Sequence, residues 1–168
     1  MSIEELGNRE IELYNIVSSL QGTMEEKDKQ VRDLGIYEEY GNIHAQYAKL
    51  CRRDLEALKR GLFLLWYSKA EPSCYTGIGE LQLKFEREII KVLDRRLNKR
   101  VSDYELDWML SYYKEWDYIF DRFEVYQVFY SIVKSPYKTE LPNSIRKEEM
   151  SKRGQMGIYW NSLELFTD

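Results

Sequence analysis

The chain has 168 residues, 43% hydrophobic and 32% charged, with 25 Lys and Arg against 29 Asp and Glu for a net charge of −4. A chain this long can bury about 70% of the surface its unfolded form exposes, so it needs neither a structural metal nor a disulfide to hold together. Three prolines, nine glycines and charges interspersed by sign exclude a disordered class and favour an all-α fold.

Residues 3 to 34 trace a seven-residue apolar spacing through Ile3, Leu6, Leu13, Val17, Leu20, Met24, Val31 and Leu34, which Glu10 and Lys27 interrupt. Tyr14 and Ile16 widen the stripe, and Gly22-Thr23 followed by Glu26 reads as a stop and a fresh capping box. Two helices packed on the body are therefore expected rather than one free zipper. The polar, acidic opening Met1-Ser2-Ile3-Glu4-Glu5-Leu6 has the character of neither a secretory signal nor a transit peptide.

Gly35 to Gly41 reads as a punctuated junction, and Ile43 to Tyr67 as one helix with Tyr47, Cys51, Leu55, Leu58, Leu62 and Leu65 inward. Its apolar run Leu62 to Tyr67 is far short of the ~20 residues that span a bilayer, so no membrane segment is expected. Pro72 ends the helix because the residue before proline is pushed out of the helical region. A further helix over 80–99 should bury Leu81, Phe85, Ile89, Val92, Leu93 and Leu97.

Ser102 with Glu105 forms an apparent capping box for a long aromatic helix, since residues 104 to 130 hold eleven of the chain's twenty-four aromatic side chains. Tyr104, Trp108, Tyr112, Trp116, Phe120 and Phe123 share one broad face, which predicts that Trp108 and Trp116 are both largely buried against Leu58, Leu62, Leu65, Phe85 and Ile89. The short gap before this helix predicts an antiparallel hairpin with its predecessor. Pro136 and Pro142 punctuate the exit, residues 144–152 can form a short charged helix, and the strip with Ile158, Trp160, Leu163 and Phe166 is too apolar to be a solvated tail.

These elements predict a single-domain helical bundle of about four to six helices with antiparallel packing and a docked C-terminal segment. Its parts are an N-terminal helical segment (1–34), a three-helix core (42–135) and a C-terminal extension (136–168).

Chemistry is sparsely signalled. The single histidine, His44, falls near the predicted start of a helix and reads as a surface bystander, and the Glu-x-x-His pairs of a dinuclear metal site are missing, so no metal and no cofactor is expected. The two cysteines read as reduced thiols of a cytoplasmic protein, Cys51 on an apolar helix face and Cys74 in a loop. Carboxylates at Asp103, Asp107, Glu115, Asp117 and Asp121 lie mostly away from the aromatic face, as a helix meeting a basic neighbour would place them.

Charge is unevenly distributed: residues 1–40 carry four cationic against ten acidic side chains, residues 41–101 thirteen against seven, and residues 102–135 three against seven. Arg95, Arg96, Lys99 and Arg100 close the 80–99 helix, where cations complement the helix dipole by about 0.3–1 kcal/mol each. A pI near 5.3 and the lack of interleaved stacking aromatics disfavour nucleic acid as a partner. The expectation is a non-enzymatic, cytosolic protein-interaction module, an adaptor or immunity-type inhibitor, which offers an aromatic and acidic surface to another protein or to a second copy of the chain. The alternative is a small-molecule binder or enzyme with a pocket between the 71–80 loop and the aromatic helix, lined by Glu71, Cys74, Tyr75, Thr76, Trp108, Tyr112 and Trp116.

Overall fold

A computed structural model describes residues 1–101, 103–142 and 146–163. Within them the chain is all-helical, with ten α-helices and one 3-10 segment. They are shorter and more numerous than periodicity predicts, because local caps divide what the apolar stripes join.

The helix α1 (Ile3–Ser19) opens on a reciprocal capping box between Ser2 and Glu5, and α2 (Met24–Asp33) on the expected one between Thr23 and Glu26. Each box satisfies two backbone donors that a helix start leaves without partners. Gly35, at φ 70°, closes α2 and launches α3 (Ile36–Leu50) directly. Gly41 therefore lies inside a helix rather than in a junction; an added Cβ there would meet nothing within 4 Å, so the position imposes no break.

The expected helix from Ile43 to Tyr67 is two helices. The chain turns at 51–53, and the Asp54 side chain accepts from Ala57 N at 3.1 Å to start α4 (Leu55–Ala70). That local cap outweighs the continuous apolar stripe. Every residue from Ala57 to Trp66 in α4 is buried, so this is the central helix. It packs on α3, on α6 (Leu83–Asn98), on α10 (Gly154–Ser162) and on the 3-10 segment. At Gly61 an added Cβ would come within 2.5 Å of the Ile89 side chain, which is how α4 and α6 approach so closely.

The 71–80 segment folds into the one-turn helix α5 (Ser73–Thr76), which ends at Gly77 with φ 77° and rests on α1 and α2. After α6, Asp103 accepts from Leu106 N at 2.8 Å and caps α7 (Tyr104–Tyr113); Ser102, the expected cap, lies outside the described residues.

The aromatic segment is not one helix. Trp116 leaves the helical region (φ −109°, ψ 49°) within the 3-10 segment Lys114–Phe123, and α8 (Gln127–Lys134) follows. A tertiary contact accompanies the break: the Lys114 ammonium donates to Ser135 O at 2.8 Å and also to the Tyr137 carbonyl, tying the start of the 3-10 segment to the C-terminal end of α8. The redirected chain carries Phe120 and Phe123 into the core. Helix α6 finds its main neighbours in α4, α8 and α3.

The charged segment forms only one turn, α9 (Lys147–Met150). The helix α10 begins at Gly154, whose φ is 63°, and holds Trp160 fully buried, with Ile158 and Leu163 half-buried; Phe166 lies outside the described residues. The apolar strip thus docks on the body as expected, seated chiefly against α1 and also on α4 and α9. Gly157 is a packing residue rather than a turn, since an added Cβ would lie 1.9 Å from Met150 O.

Candidate functional site

The predicted binding residues separate into two places. Glu71 and Tyr75 are exposed, and Cys74 and Thr76 are buried; Glu71 closes α4, while the other three belong to α5 on the α1–α2 side. Tyr75 is crossed by the Lys27 ammonium at 5.2 Å, while Thr76 spends its hydroxyl on Ile78 N at 3.0 Å and its carbonyl on the Gln155 side chain at 3.0 Å.

Trp108, Tyr112 and Trp116 belong to a continuous aromatic core centred on Trp66. The Trp66 ring stacks on Tyr113 at 4.7 Å and meets Trp116 edge-on at 5.3 Å, and Trp108 meets Trp160 edge-on at 4.8 Å. The Tyr112 and Tyr159 hydroxyls bond each other at 2.6 Å. Trp108 is 1% exposed, whereas Trp116 is only half-buried because the break at its own backbone turns it toward the rim. Where α1, α4 and α10 meet beside the aromatic core lies a niche of about 50 Å³ lined by Tyr14, Tyr67, Gln155, Ile158, Tyr159 and Ser162, room for little more than a water, and no residue of the 71–80 segment lines it.

The buried ionisable groups form a second constellation. Glu10, fully buried in α1, accepts from the Tyr47 hydroxyl and from Gln155 N at 3.0 Å, and it faces Arg60. Desolvation raises its carboxyl to about 7, opposed by those two hydrogen bonds and the guanidinium. Beside it, Arg153 forks between Glu56 at 2.5 Å and Glu105 at 2.6 Å, and Lys59 joins Glu105 and Asp103, each at 2.9 Å. Burial pushes the Glu56 and Glu105 carboxyls up, but Arg153 together with Arg60 at Glu56, and with Lys59 at Glu105, outweighs it and both stay below the usual carboxylate range.

This network fastens α1, α4 and α7 to the segment that leads into α10. The one sequence signal for it is Glu10, a charge inside an otherwise apolar stripe; Arg60 and Arg153 carry no comparable mark.

His44 is not a surface residue. Because α3 starts at Ile36, His44 falls mid-helix and fully buried, and burial pushes its imidazole down to about 4 against a weaker effect of the Gly61 backbone. Both cysteines are free thiols and buried; burial raises Cys51 to about 11. No group of three or more His, Cys, Asp and Glu among the described residues could hold a metal ion, and no helix among them is long and apolar enough to cross a membrane. The carboxylates of the aromatic segment are largely paired: Asp117 and Asp121 hold Lys134 at 3.1 and 2.7 Å, and Glu115 holds Lys138.

One open cleft of about 370 Å³ is mainly apolar, lined by Leu97, Leu110, Ser111, Ile132 and Tyr137 among others; the basic surface lies elsewhere. A cleft of about 450 Å³ lies where the α3–α4 turn meets the end of α6, lined by Arg52, Arg53, Arg95, Arg96 and Lys99 over a floor that includes Leu55, Leu58, Val92 and Val101. Arg52 and Arg53 also border a second cleft of about 600 Å³ with Lys49, Lys84, Phe85 and Glu88, so the two form one basic trough. Arg52 pairs with Glu88 at 2.5 Å, but Arg53, Arg95 and Lys99 are exposed and have no ion-pair partner among the described residues. Dipole complementarity explains Arg95 and Arg96; it does not explain why Arg52 and Arg53 face them from another segment.

Comparison of the chain with protein-family models, with curated proteins and with solved structures returned no match.

Proposed function

We propose that this chain is a non-enzymatic, cytosolic protein-interaction module of the adaptor or immunity-inhibitor kind, and that its recognition surface is the basic trough rather than the aromatic face. The observation that carries the reading is the set of exposed, unpaired cations Arg53, Arg95 and Lys99 around an apolar floor. The trough brings such cations together from two segments, whereas the half-buried Arg153 is matched internally by Glu56 and Glu105. Such a surface attracts an acidic segment, steers its approach and offers its carrier an apolar seat.

The test is fluorescence anisotropy of a labelled glutamate-rich peptide against the whole chain and against the charge-reversed pair Arg53→Glu and Arg95→Glu. Binding that weakens steeply with salt and is lost in the variant is expected. Binding that persists in the variant, or none by the parent chain at low salt, would remove the trough as the recognition surface. The chain's own N-terminal helices, with Glu4 and Glu12 of α1, Glu25 and Glu26 of α2 and Glu38 of α3 exposed, are one acidic surface of this sort. Sedimentation at low and high salt separates self-association from capture of a different protein.

A further inference from the structure

The cleft gathers like charges from two segments far apart in the chain, 51–54 and 95–101; Arg52 is paired with Glu88, but Arg53, Arg95 and Lys99 have no ion-pair partner among the described residues, and holding them together is unfavourable. The one carboxylate in its lining, Asp54, accepts from Ala57 N at 3.1 Å as the cap of α4. The Arg96 Nε is enclosed and has no acceptor among the described residues. The repulsion is relieved when an anion with several oxygens occupies the cleft.

Building on the reading of the trough as a recognition surface, we propose that the cleft is a phosphate site, and that the group it recognises is a phosphate monoester or polyphosphate. Four of its five cations are arginines, whose planar forks give paired, parallel donors to oxyanions. A carboxylate has one charge and one plane and satisfies a single fork well. A phosphate near pH 7 carries between one and two charges on three free oxygens and can take forks from both walls at once. The floor of Leu55, Leu58, Val92 and Val101 seats the carrier, and the passage past Arg52 and Arg53 toward Phe85 leaves room for its flanking part. A phosphorylated segment of a partner protein and a free phosphorylated small molecule present this same chemistry.

Thermal unfolding of the full chain at constant ionic strength tests the site with inorganic phosphate, tripolyphosphate and citrate as probes. Anisotropy compares a phosphoserine peptide with its glutamate counterpart. Expected are a concentration-dependent rise in Tm, larger for tripolyphosphate than for citrate, and tighter binding of the phosphoserine peptide. Both effects should fall about tenfold or more in the pair Arg53→Ala and Arg95→Ala and clearly in Arg53→Lys with Arg95→Lys, which keeps the charge and loses the forks. The pair Lys29→Ala and Arg32→Ala removes the same charge from α2 and should leave binding unchanged.

A phosphopeptide that binds more tightly than tripolyphosphate identifies a partner protein as the source; the reverse identifies a small molecule, and either supports the site. If citrate equals tripolyphosphate and the two peptides bind alike, while the arginine-to-alanine pair still abolishes binding, the phosphate assignment is overturned and the trough remains a general acidic-segment surface. If no probe binds, or binding survives that pair, both readings are overturned.

Discussion

Replacing Glu10 with glutamine should make the chain less sensitive to pH, with a sign and size set by burial. The carboxyl is fully buried and titrates near 7 instead of the ordinary 4.5, so the folded state holds its proton across a range where the unfolded chain has released it. Stability contributed by the protonated form is therefore complete below pH 4.5, declines as pH rises, and is gone above about 7. A displacement from 4.5 to about 7 corresponds to roughly 3 kcal/mol between those limits. Glutamine is a neutral analogue of the protonated acid: its oxygen can accept from Gln155 N as the carboxylate does now, while its amide donates to the Tyr47 hydroxyl oxygen, reversing the bond that Tyr47 now donates. Urea unfolding of both proteins at pH 5, 6, 7 and 8 reads the effect, because other titrating groups cancel in the difference. The Glu10→Gln variant should gain on the parent by about 2.5 kcal/mol between pH 5 and pH 8, with most of the change between pH 5 and 7. A difference that stays constant within about 0.5 kcal/mol over that range would show that Glu10 is ionised throughout and that Arg60 neutralises it, refuting the argument from desolvation.

Three further perturbations discriminate between parts of the core. Trp108→Ala should cost about 3–5 kcal/mol in urea unfolding and Trp116→Ala about half of that, since one ring is enclosed and the other stands at the rim; equal losses would contradict the packing. Gly41→Ala, in open space within α3, should raise stability by about 0.4–1 kcal/mol, whereas Gly157→Ala should lower Tm because its methyl would meet Met150 O; a neutral Gly157→Ala would mean α9 is not held against α10. Arg153→Ala leaves Glu56 and Glu105 facing each other half-buried and should cost about 3 kcal/mol at pH 7, with part regained as pH falls and those carboxylates protonate; a pH-independent loss would indicate packing rather than charge.

The parts of this fold legible in the sequence were those whose cause is local. The Thr23–Glu26 box and the stop at Pro72 involve neighbours within a few residues, and α2 and the end of α4 fall where those residues put them. The turn at 51–53 escaped because Cys51, Leu55 and Leu58 continue the apolar stripe, and an Asp cap weighs little in a pattern of hydrophobicity. The break at Trp116 is accompanied by Lys114 reaching carbonyls near the end of α8, about twenty residues away, which no periodicity records. Site residues divide in the same way. The excess of arginine near 95–100 was visible, but its confrontation with Arg52 and Arg53 is a product of topology. Trp108 and Tyr112 looked like a binding face because an amphipathic aromatic stripe has the same pattern whether its cover is a ligand or, as here, the chain's own Trp66 and Trp160.

The hydrogen bond from Gln155 N to Glu10 joins groups 145 positions apart. Chain ends ordinarily fray first and exchange their amide hydrogens through small, private openings. Here α1 and α10 pack on each other over the Glu10 carboxylate, while Trp160 anchors α10 to Trp108, Tyr112 and Tyr113, so parting α1 from α10 exposes a buried carboxylate. The two helices therefore open together or not at all.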